Sequence, residues 1–259
     1  MLRIATACFA FLAPLSLLFA DVDSAVQTTP LQTEPTIEAH FFPSDAVHEI
    51  PKLQQFEAED PGFNKVAFKL KGFPSNQQIV LEIKVLTTKN DTYHPLLTFS
   101  ILDDGSYFVG SKRMQKYIVS SSKGFLPGER VYYRFRTADG SVSKETSGIP
   151  NPAVFRDKEG NVALRAEILS TQPTVYAIDL PTMGEGEEFN LKTVSMGQIT
   201  TGKPKYSSKT PFHFSPGGKG KGGMSTLEVR RKNGELYFLK LPWGTALDPY
   251  RNGQTPKVK

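Results

Sequence analysis

Along most of the chain beyond residue 63, apolar and polar residues alternate with a period of two. Three segments show the pattern clearly, at 65–71, 79–85 and 131–136, where Val, Ile, Leu, Tyr and Phe dominate alternate positions. β-Branched and aromatic residues with this period are typical of strands that bury one face and expose the other. Patterns of long amphipathic helices are absent from the sequence. The chain is therefore predicted to be all-β, with antiparallel strands.

A strand, a Gly-Phe turn and a second strand occur in the same order more than once. Two close copies begin at Lys71-Gly72-Phe73-Pro74 and at Lys123-Gly124-Phe125-Leu126, and a looser copy begins at Leu180-Pro181. Each copy is followed by two further strands around a glycine turn, at 98–109, 154–164 and 227–241. Many short strands separated by Gly, Pro and Asp turns predict β-sandwiches.

The last of these glycine turns carries a strong hairpin signal. Asn233-Gly234 favours a two-residue turn, because both central residues of such a turn need positive φ. In this register Lys232 faces Glu235 and Arg230 faces Tyr237, and both are favourable cross-strand pairs. The sequence therefore predicts a tight hairpin here.

The run Phe125-Leu126-Pro127-Gly128-Glu129-Arg130-Val131-Tyr132 resembles the turn-and-strand signature of fibronectin type III and bacterial immunoglobulin-like repeats. The resemblance implies an immunoglobulin-like sandwich, in which a Pro-Gly turn precedes a strand of alternating inward residues. The tryptophan usual in those families is not found at the matching place. Gly72 and Gly124 lie 52 residues apart, too short for a complete seven-strand domain. We therefore expect the first two copies to share one sandwich and the third to form another.

The N-terminus has the layout of a secretory signal peptide. Met1-Leu2-Arg3 supplies one charge, residues 4–20 are apolar, and polar residues follow Ala20. An uncleaved membrane anchor is the alternative, although an apolar stretch interrupted by Pro14 is short for a span of about 20 residues. The only cysteine, Cys8, lies inside this signal. A mature chain without cysteine favours an exported bacterial protein, periplasmic or extracellular.

Charge is distributed unevenly along the chain. The net charge is +5, but residues 21–60 contain nine acids and one base, so residues 61–259 carry 29 Lys and Arg against 17 Asp and Glu. Residues 21–62 also contain five prolines and no sustained period. This segment is expected to be an irregular, self-repelling acidic arm. The alternative is an arm that folds back onto the basic body and masks it.

These features divide the chain into five segments. They are a signal peptide (1–20), the acidic arm (21–62), a sandwich with two repeats (63–169), a second sandwich that holds the third repeat and a Lys/Gly-rich loop at 203–223 (170–245), and a polar C-terminal tail (246–259).

Motifs for catalysis or metal binding are weak. The four histidines are scattered, and none has the spacing of a zinc site. The S-x-x-K pattern occurs at Ser120/Lys123 and Ser141/Lys144, without the S-D-N or K-T-G motifs that accompany it in penicillin-binding enzymes. Acidic turns such as Asp103-Asp104-Gly105 lack the spacing of a calcium loop and suit tight turns. The sequence predicts no catalytic residue, cofactor or metal site.

A lysine-rich region is the first candidate for binding. No acidic residue occurs between Glu188 and Glu228, and its glycine-rich part, 215–223, is expected to be a mobile cationic loop rather than a Walker loop. Backbone N–H groups of such a loop and uncompensated lysines can bind anions with a salt-sensitive affinity. The alternative is a flexible loop that joins two strands. The candidates for anion or partner binding are Lys203, Lys205, Lys209, Lys219 and Lys221.

A second candidate surface lies on the strand after Pro127-Gly128. If Val131, Tyr133 and Phe135 point inward, then Tyr132, Arg134 and Arg136 point outward together and can stack on sugar rings or pair with anions. An ordinary solvated face or an inter-domain contact is the alternative. The single tryptophan, Trp243, ends a strand and is expected to close the core rather than to form a sugar platform.

These observations predict an exported, non-enzymatic binding or structural module of the bacterial envelope. Its partner would be an anionic envelope component or a protein, with peripheral membrane contact left open and no specific nucleic acid indicated. One alternative is an enzyme accessory or hydrolase, for which the acids Glu185, Glu187 and Glu188 are the minimal candidates. Another is an assembly subunit whose N-terminal arm adds a strand to a neighbour's sheet.

Overall fold

The computed structural model describes residues 34–42, 64–86, 92–114, 117–122, 124–217 and 221–253. The expected signal peptide and most of the expected acidic arm lie outside these residues. All described residues belong to one compact unit, Thr33–Lys259.

Strands make up most of the described residues. They are β1 (Thr36–Phe42), β2 (Asn64–Lys71), β3 (Gln78–Lys84), β4 (His94–Ile101), β5 (Tyr107–Val109), β6 (Lys112–Met114), β7 (Ile118–Ser122), β8 (Val131–Thr137), β9 (Ser143–Gly148), β10 (Ala153–Arg156), β11 (Val162–Thr171), β12 (Thr174–Asp179), β13 (Phe189–Ser195), β14 (Gln198–Gly202), β15 (Phe212–Phe214), β16 (Gly222–Arg231) and β17 (Leu236–Gly244). A 3-10 turn, Thr245–Leu247, and a short helix α1, Asp248–Arg251, follow. The prediction of an all-β, antiparallel protein is confirmed.

The first nine strands form two sheets around one core. Sheet I has the order β1-β2-β7, and sheet II has the order β6-β5-β4-β3-β8-β9. Phe68 of sheet I lies 4.9 Å, between ring centroids, from both Tyr133 and Phe135 of sheet II. Val131, Tyr133 and Phe135 are buried, as the period-two pattern predicts. The first two sequence repeats lead into β3 and β8, which are neighbours in sheet II.

The remaining strands form a second pair of sheets. Sheet III has the order β10-β11-β12-β15, and sheet IV has the order β14-β13-β16-β17. Their core contains Tyr176 and Ile178 from sheet III and Leu227 and Leu239 from sheet IV. The third repeat leads into β13 of this sandwich.

The expectation that residues 21–62 are irregular throughout is wrong for β1. This strand pairs with β2 along its whole length, from Thr36↔Lys71 to Phe42↔Lys65. Ile37, Ala39 and Phe41 pack on the first core. Their period-two pattern is short and lies between prolines, which is why the composition of the arm hides it.

The boundaries of the second sandwich also differ from the sequence expectation of residues 170–245. The strands β10 and β11 begin at Ala153 and Val162, before the expected boundary, yet they belong to sheet III, and Leu164, Ala166 and Ile168 of β11 pack in the second core. At the other end, the expected polar tail begins with ordered structure. Leu247 is 1% exposed and Tyr250 packs on the same core, so 245–251 extend the second sandwich.

The hairpin around Asn233-Gly234 has a different register from the predicted one. The observed pairs are Arg230↔Leu236 and Val229↔Tyr237, and Arg231 is bonded to Glu235. Only Gly234 has a positive φ, of 90°, while the Asn233 side chain accepts the Glu235 N–H. A three-residue loop therefore replaces the predicted two-residue turn, because the asparagine stabilises the turn through its side chain rather than by a left-handed backbone.

The two sandwiches meet at residues 124–130. Phe125 packs in the first core and its neighbour Leu126 packs in the second. The Gly128 carbonyl accepts the Ile168 N–H at 3.0 Å, and Glu129 forms a parallel bridge with the same residue. This segment joins β7 to β8 of the first sandwich and is therefore a packed and hydrogen-bonded contact between the sandwiches, while the chain itself crosses from one to the other at residues 149–152.

The side chain of Glu129 lies inside this junction. It is 1% exposed and accepts the N–H of Leu86 at 3.0 Å and of Leu126 at 2.9 Å. Burial raises the pKa of this carboxyl, while the two backbone hydrogen bonds and the charge of Arg251 act in the opposite direction. The neighbouring Arg130 makes a two-pronged ion pair with Glu167 of β11, with both N–O distances at 2.7 Å.

Gly128 tests whether this junction stabilises the fold. A Cβ at Gly128 would lie 2.4 Å from the Ala166 carbonyl oxygen, whereas a Cβ at Gly105 of the β4–β5 turn would meet nothing within 4 Å. Both glycines have a φ near +77°, at 79° and 76°. We expect Gly105→Ala to cost about 1 kcal/mol for the left-handed backbone alone, and Gly128→Ala to cost about 1–3 kcal/mol more for the overpacking. Urea unfolding of both variants measures the difference, and equal losses would contradict a tight junction.

Candidate interaction surfaces

The outer face of sheet II holds the Tyr132/Arg134/Arg136 candidate. Tyr132 is exposed and both arginines are half-buried, as expected for the residues that alternate with the buried ones. Arg134 donates to Glu82 Oε2 at 2.6 Å, and Arg136 donates to Glu82 Oε1 at 3.0 Å. Glu82 lies on the neighbouring strand β3, directly opposite Arg134. The two guanidinium groups are therefore already engaged by one carboxylate.

The environment of Glu82 decides its charge. Its desolvation favours the neutral acid, but the hydrogen bonds and charges of Arg134 and Arg136 outweigh this and hold the pKa below its ordinary value of 4.5. Glu82 is 4% exposed, so a carboxylate without these partners would be costly. The cluster is a structural ion-pair network in which one buried carboxylate holds both guanidinium groups.

Aromatic rings enclose the other side of this cluster. The Arg134 guanidinium lies 4.1 Å from the centroid of the Tyr93 ring, and the Lys84 ammonium lies 4.8 Å from that of Tyr132. Burial, with the nearby Glu145 carboxylate, raises the pKa of Tyr93 to about 12. Cation–π contacts of this kind fix the side chains on the sheet surface. Glu82, Lys84 and Tyr93 also belong to this surface and were not predicted from the sequence.

The lysines predicted to form one cationic loop lie at different places. Lys203 and Lys205 follow β14, and Lys209 is in an exposed turn after them. Lys221 precedes β16 at its far end, where Gly222 pairs with Gly244. The ten residues of β16 separate the two ends by about 30 Å at the rise of a strand. Lys219 lies outside the described residues.

Lys203 and Lys205 lie close to a third lysine around one acid. Lys232 Nζ lies 3.1 Å from Glu188 Oε2, and Lys205 Nζ lies 3.8 Å from Glu188 Oε1. The hydrogen bond and charge of Lys232, with the charges of Lys205 and Lys203, hold the pKa of Glu188 below its ordinary value. One carboxylate faces three ammonium groups, so a net positive charge remains at this corner of the second sandwich.

The outer face of sheet IV continues from this corner. Four cations lie on it, one from each of β13, β16 and β17 and one after β14: Lys192, Arg230, Lys240 and Lys203. Four large apolar side chains, 42–64% exposed, lie among them: Ile199, Met224, Leu236 and Phe238. Glu228 is the acid of this face and pairs with Lys192 at 3.2 Å. We refer to these nine residues as the basic face.

A shallow groove of about 470 Å³ runs along one end of the basic face. The residues that line it include Lys192, Thr201, Lys203, Arg230 and Leu236. The strand register explains the arrangement, because Lys192 lies opposite Thr201 and Arg230 lies opposite Leu236. Cations and an apolar side chain from four neighbouring chain segments thus line one open groove.

The remaining candidates have structural partners. Glu187 forms a two-pronged pair with Arg231, with both N–O distances at 2.9 Å, and Glu185 accepts the N–H and the hydroxyl of Ser208. Trp243 is 5% exposed, which confirms the expectation that it closes the core.

The described residues show no group of three or more His, Asp or Glu side chains that could hold a metal ion. Among the same residues, no helix has the length and apolar character needed to cross a membrane. His48 and Cys8 lie outside the described part of the chain.

Comparisons with known proteins find similarity to solved structures. No protein-family model matches the sequence, and no curated protein matches it. A solved structure of a tetra-tandem repeat in the extending region of a large adhesion protein aligns with 80% of this chain and 48% of that chain, at 10% identity and a TM-score of 0.23. The aligned region thus spans about half the length of that protein chain.

The basic face was only partly visible in the sequence. Lys203 was among the candidates, but Lys192, Arg230 and Lys240 were not assigned to a surface. The alternation of apolar and polar residues could have identified two of them, because Arg230 follows the buried Val229 and Lys240 lies between the buried Leu239 and Leu241. That β13 lies beside β16 is a long-range pairing that no local pattern contains.

The charge of Glu82 gives a pH-dependent prediction. Since its pKa is lowered by folding, the carboxylate stabilises the protein above the unfolded pKa of 4.5, and this stabilisation is lost as the pH falls through the folded value. We expect Glu82→Gln to cost about 1–3 kcal/mol at neutral pH, with a smaller difference from the natural protein in acid. Urea unfolding from about pH 7 to about pH 3 measures this. Glu159→Gln, in an exposed turn, is the control, and a Glu82→Gln loss that does not change with pH would contradict the assignment.

Proposed function

We propose that this protein is a non-catalytic binding module that contacts an anionic partner through the basic face of its second sandwich. The predicted signal peptide supports a role outside the cytoplasm, at a bacterial envelope. The observation that carries the proposal is the concentration of four cations and four exposed apolar side chains on the outer face of a single sheet.

Charge supports this choice of surface over the arginine stripe of sheet II. On the stripe, Glu82 engages both arginines within 3.0 Å. On the basic face, one ion pair joins Lys192 to Glu228, and among the described residues no carboxylate forms an ion pair within 4.0 Å of Lys203, Arg230 or Lys240. An incoming anion therefore meets cations whose charge is not already balanced.

The apolar side chains support a macromolecular partner rather than a free ion. Exposed apolar residues rimmed by polar ones are typical of interaction sites. Leu236 and Phe238 are 42% and 49% exposed on β17, beside Arg230 and Glu228 of β16. A partner with both anionic and apolar groups can use the two kinds of side chain together, and attraction between the charges accelerates its approach.

The test compares two charge-matched double variants on a polyanion. Lys203→Gln/Arg230→Gln removes two cations from the basic face, and Lys112→Gln/Lys221→Gln removes two exposed cations elsewhere. We expect the first variant to bind dextran sulfate with about 2 kcal/mol less free energy, at about 1 kcal/mol per cation near an anionic surface, which is about a 30-fold loss of affinity. The second variant should retain most of the natural affinity.

The measurement is the binding of each purified protein to immobilised dextran sulfate at about 0.05 M and about 1 M salt, with uncharged dextran as the blank. Phosphatidylglycerol vesicles, sedimented in parallel, show whether a lipid surface serves as well as a soluble polyanion. Equal losses in the two double variants would contradict the basic face as the site. No salt-sensitive binding to either probe would reject an anionic partner.

A further inference from the structure

The edge strand β14 leaves one of its sides unpaired. In sheet IV it is bonded to β13 alone, and among the described strands none pairs with its other side. All five residues of Gln198–Gly202 are exposed. The strand contains Ile and two Thr, which favour extended structure, and has neither a charge nor a proline within it. Edge strands of natural proteins usually carry charges or prolines, which prevent them from pairing with another chain.

The turn before β14 determines which amides face the open side. Met196 and Gly197 both have positive φ, of 53° and 75°, and form a two-residue turn between Ser195 and Gln198. Residues that flank a two-residue turn form a hydrogen-bonded pair, and bonded and non-bonded pairs then alternate. The N–H and C=O groups of Thr200 therefore point to β13. Those of Ile199 and Thr201 point away from it.

We propose that the open edge of β14 binds an acidic, extended polypeptide segment of a partner by strand addition. The inference rests on the proposed function in taking the partner to be anionic. Main-chain hydrogen bonds to Ile199 and Thr201 would add a fifth strand to sheet IV, as in other complexes that extend a sheet edge.

The side chains around β14 select an acidic segment. Ile199 and Thr201 share the outer side of the sheet with Val194 and Lys192, opposite which they lie in register. Lys203 follows at the end of the strand and lines the groove with Lys192. One side chain of an added strand would therefore lie beside Ile199, which is 64% exposed. The next side chain on the same side of that strand would lie near the ammonium groups of Lys192 and Lys203.

A second copy of the chain is the competing occupant of this edge. Two β14 strands could pair with each other about Thr200, but each copy would bring a basic face to the new sheet. The chain has a net charge of +5 and its excess of cations lies in residues 61–259, so two copies that approach through their basic faces repel each other. An acidic segment removes this repulsion, which is why we assign the edge to a different polypeptide.

Thr201→Pro tests the proposal directly. Proline removes the N–H that faces the open side and leaves the ladder to β13 intact, because that ladder uses the groups of Thr200. The probe is a fluorescent synthetic peptide of about seven residues with alternating Val and Glu, followed by fluorescence anisotropy. We expect Thr201→Pro to weaken its binding about tenfold or more, while Thr201→Val, which keeps the N–H, binds like the natural protein.

A second peptide tests the proposal without a change in the protein. N-methylation of the Val residues removes the N–H donors on one edge of the peptide strand, and N-methylation of the Glu residues removes the N–H donors on the other edge. One methylated peptide should lose binding and the other should keep it. Equal binding of both, or full binding to a folded Thr201→Pro variant, would overturn strand addition.

Two further readouts separate this inference from the proposed function. Dextran sulfate binding of Lys203→Gln/Arg230→Gln tests the proposed function without any peptide, and the two methylated peptides test strand addition on the unchanged protein, so that each proposal can fail alone. Sedimentation equilibrium of the protein without peptide tests the competing occupant. If the protein is a dimer and Thr201→Pro dissociates it, the edge of β14 binds a second copy of the chain, and the proposal of an acidic partner is rejected.

Discussion

The structure depends on a segment in which neighbouring residues enter different cores. Phe125 packs in the first sandwich and Leu126 in the second, and the next turn brings the Gly128 carbonyl to the Ile168 N–H at 3.0 Å. The buried carboxyl of Glu129 accepts two backbone N–H groups at the same place. Because these residues pack against or hydrogen-bond to other elements, the segment has no room for a side chain at Gly128. A Glu129 carboxyl without its hydrogen bonds would be costly to bury.

The same physical rule distinguishes the two charged surfaces. On sheet II, the buried Glu82 carboxylate is paired with both Arg134 and Arg136, so these charged groups stabilise the sheet. On sheet IV, cations outnumber acids and lie among exposed apolar side chains. Charged groups that are paired within the protein stabilise the fold, whereas unpaired cations are available to a partner. Of the two predicted candidates, this contrast is why we propose the one that includes Lys203 rather than the stripe of Tyr132, Arg134 and Arg136.

The sequence predicted what depends on local pattern, and it missed what depends on distant pairing. Period two located the inward residues Val131, Tyr133 and Phe135, and the strand end located Trp243. Local chemistry misled in the Asn233-Gly234 turn, where a side-chain hydrogen bond replaced a left-handed asparagine. The basic face could not be derived, because the pairings of β13 with β14 and β16 bring together residues up to 42 positions apart. The seven-residue β1 was hidden because its partner β2 lies beyond a proline-rich stretch.

The most direct test of the binding surface is hydrogen–deuterium exchange with and without the Val/Glu peptide. We predict slower exchange at the amides of Ile199 and Thr201, with little change at Thr200, which is already bonded to β13, and none along β8. Protection that is confined to β8, or that leaves Ile199 and Thr201 unchanged while the peptide is bound, would contradict the account and would locate the partner elsewhere.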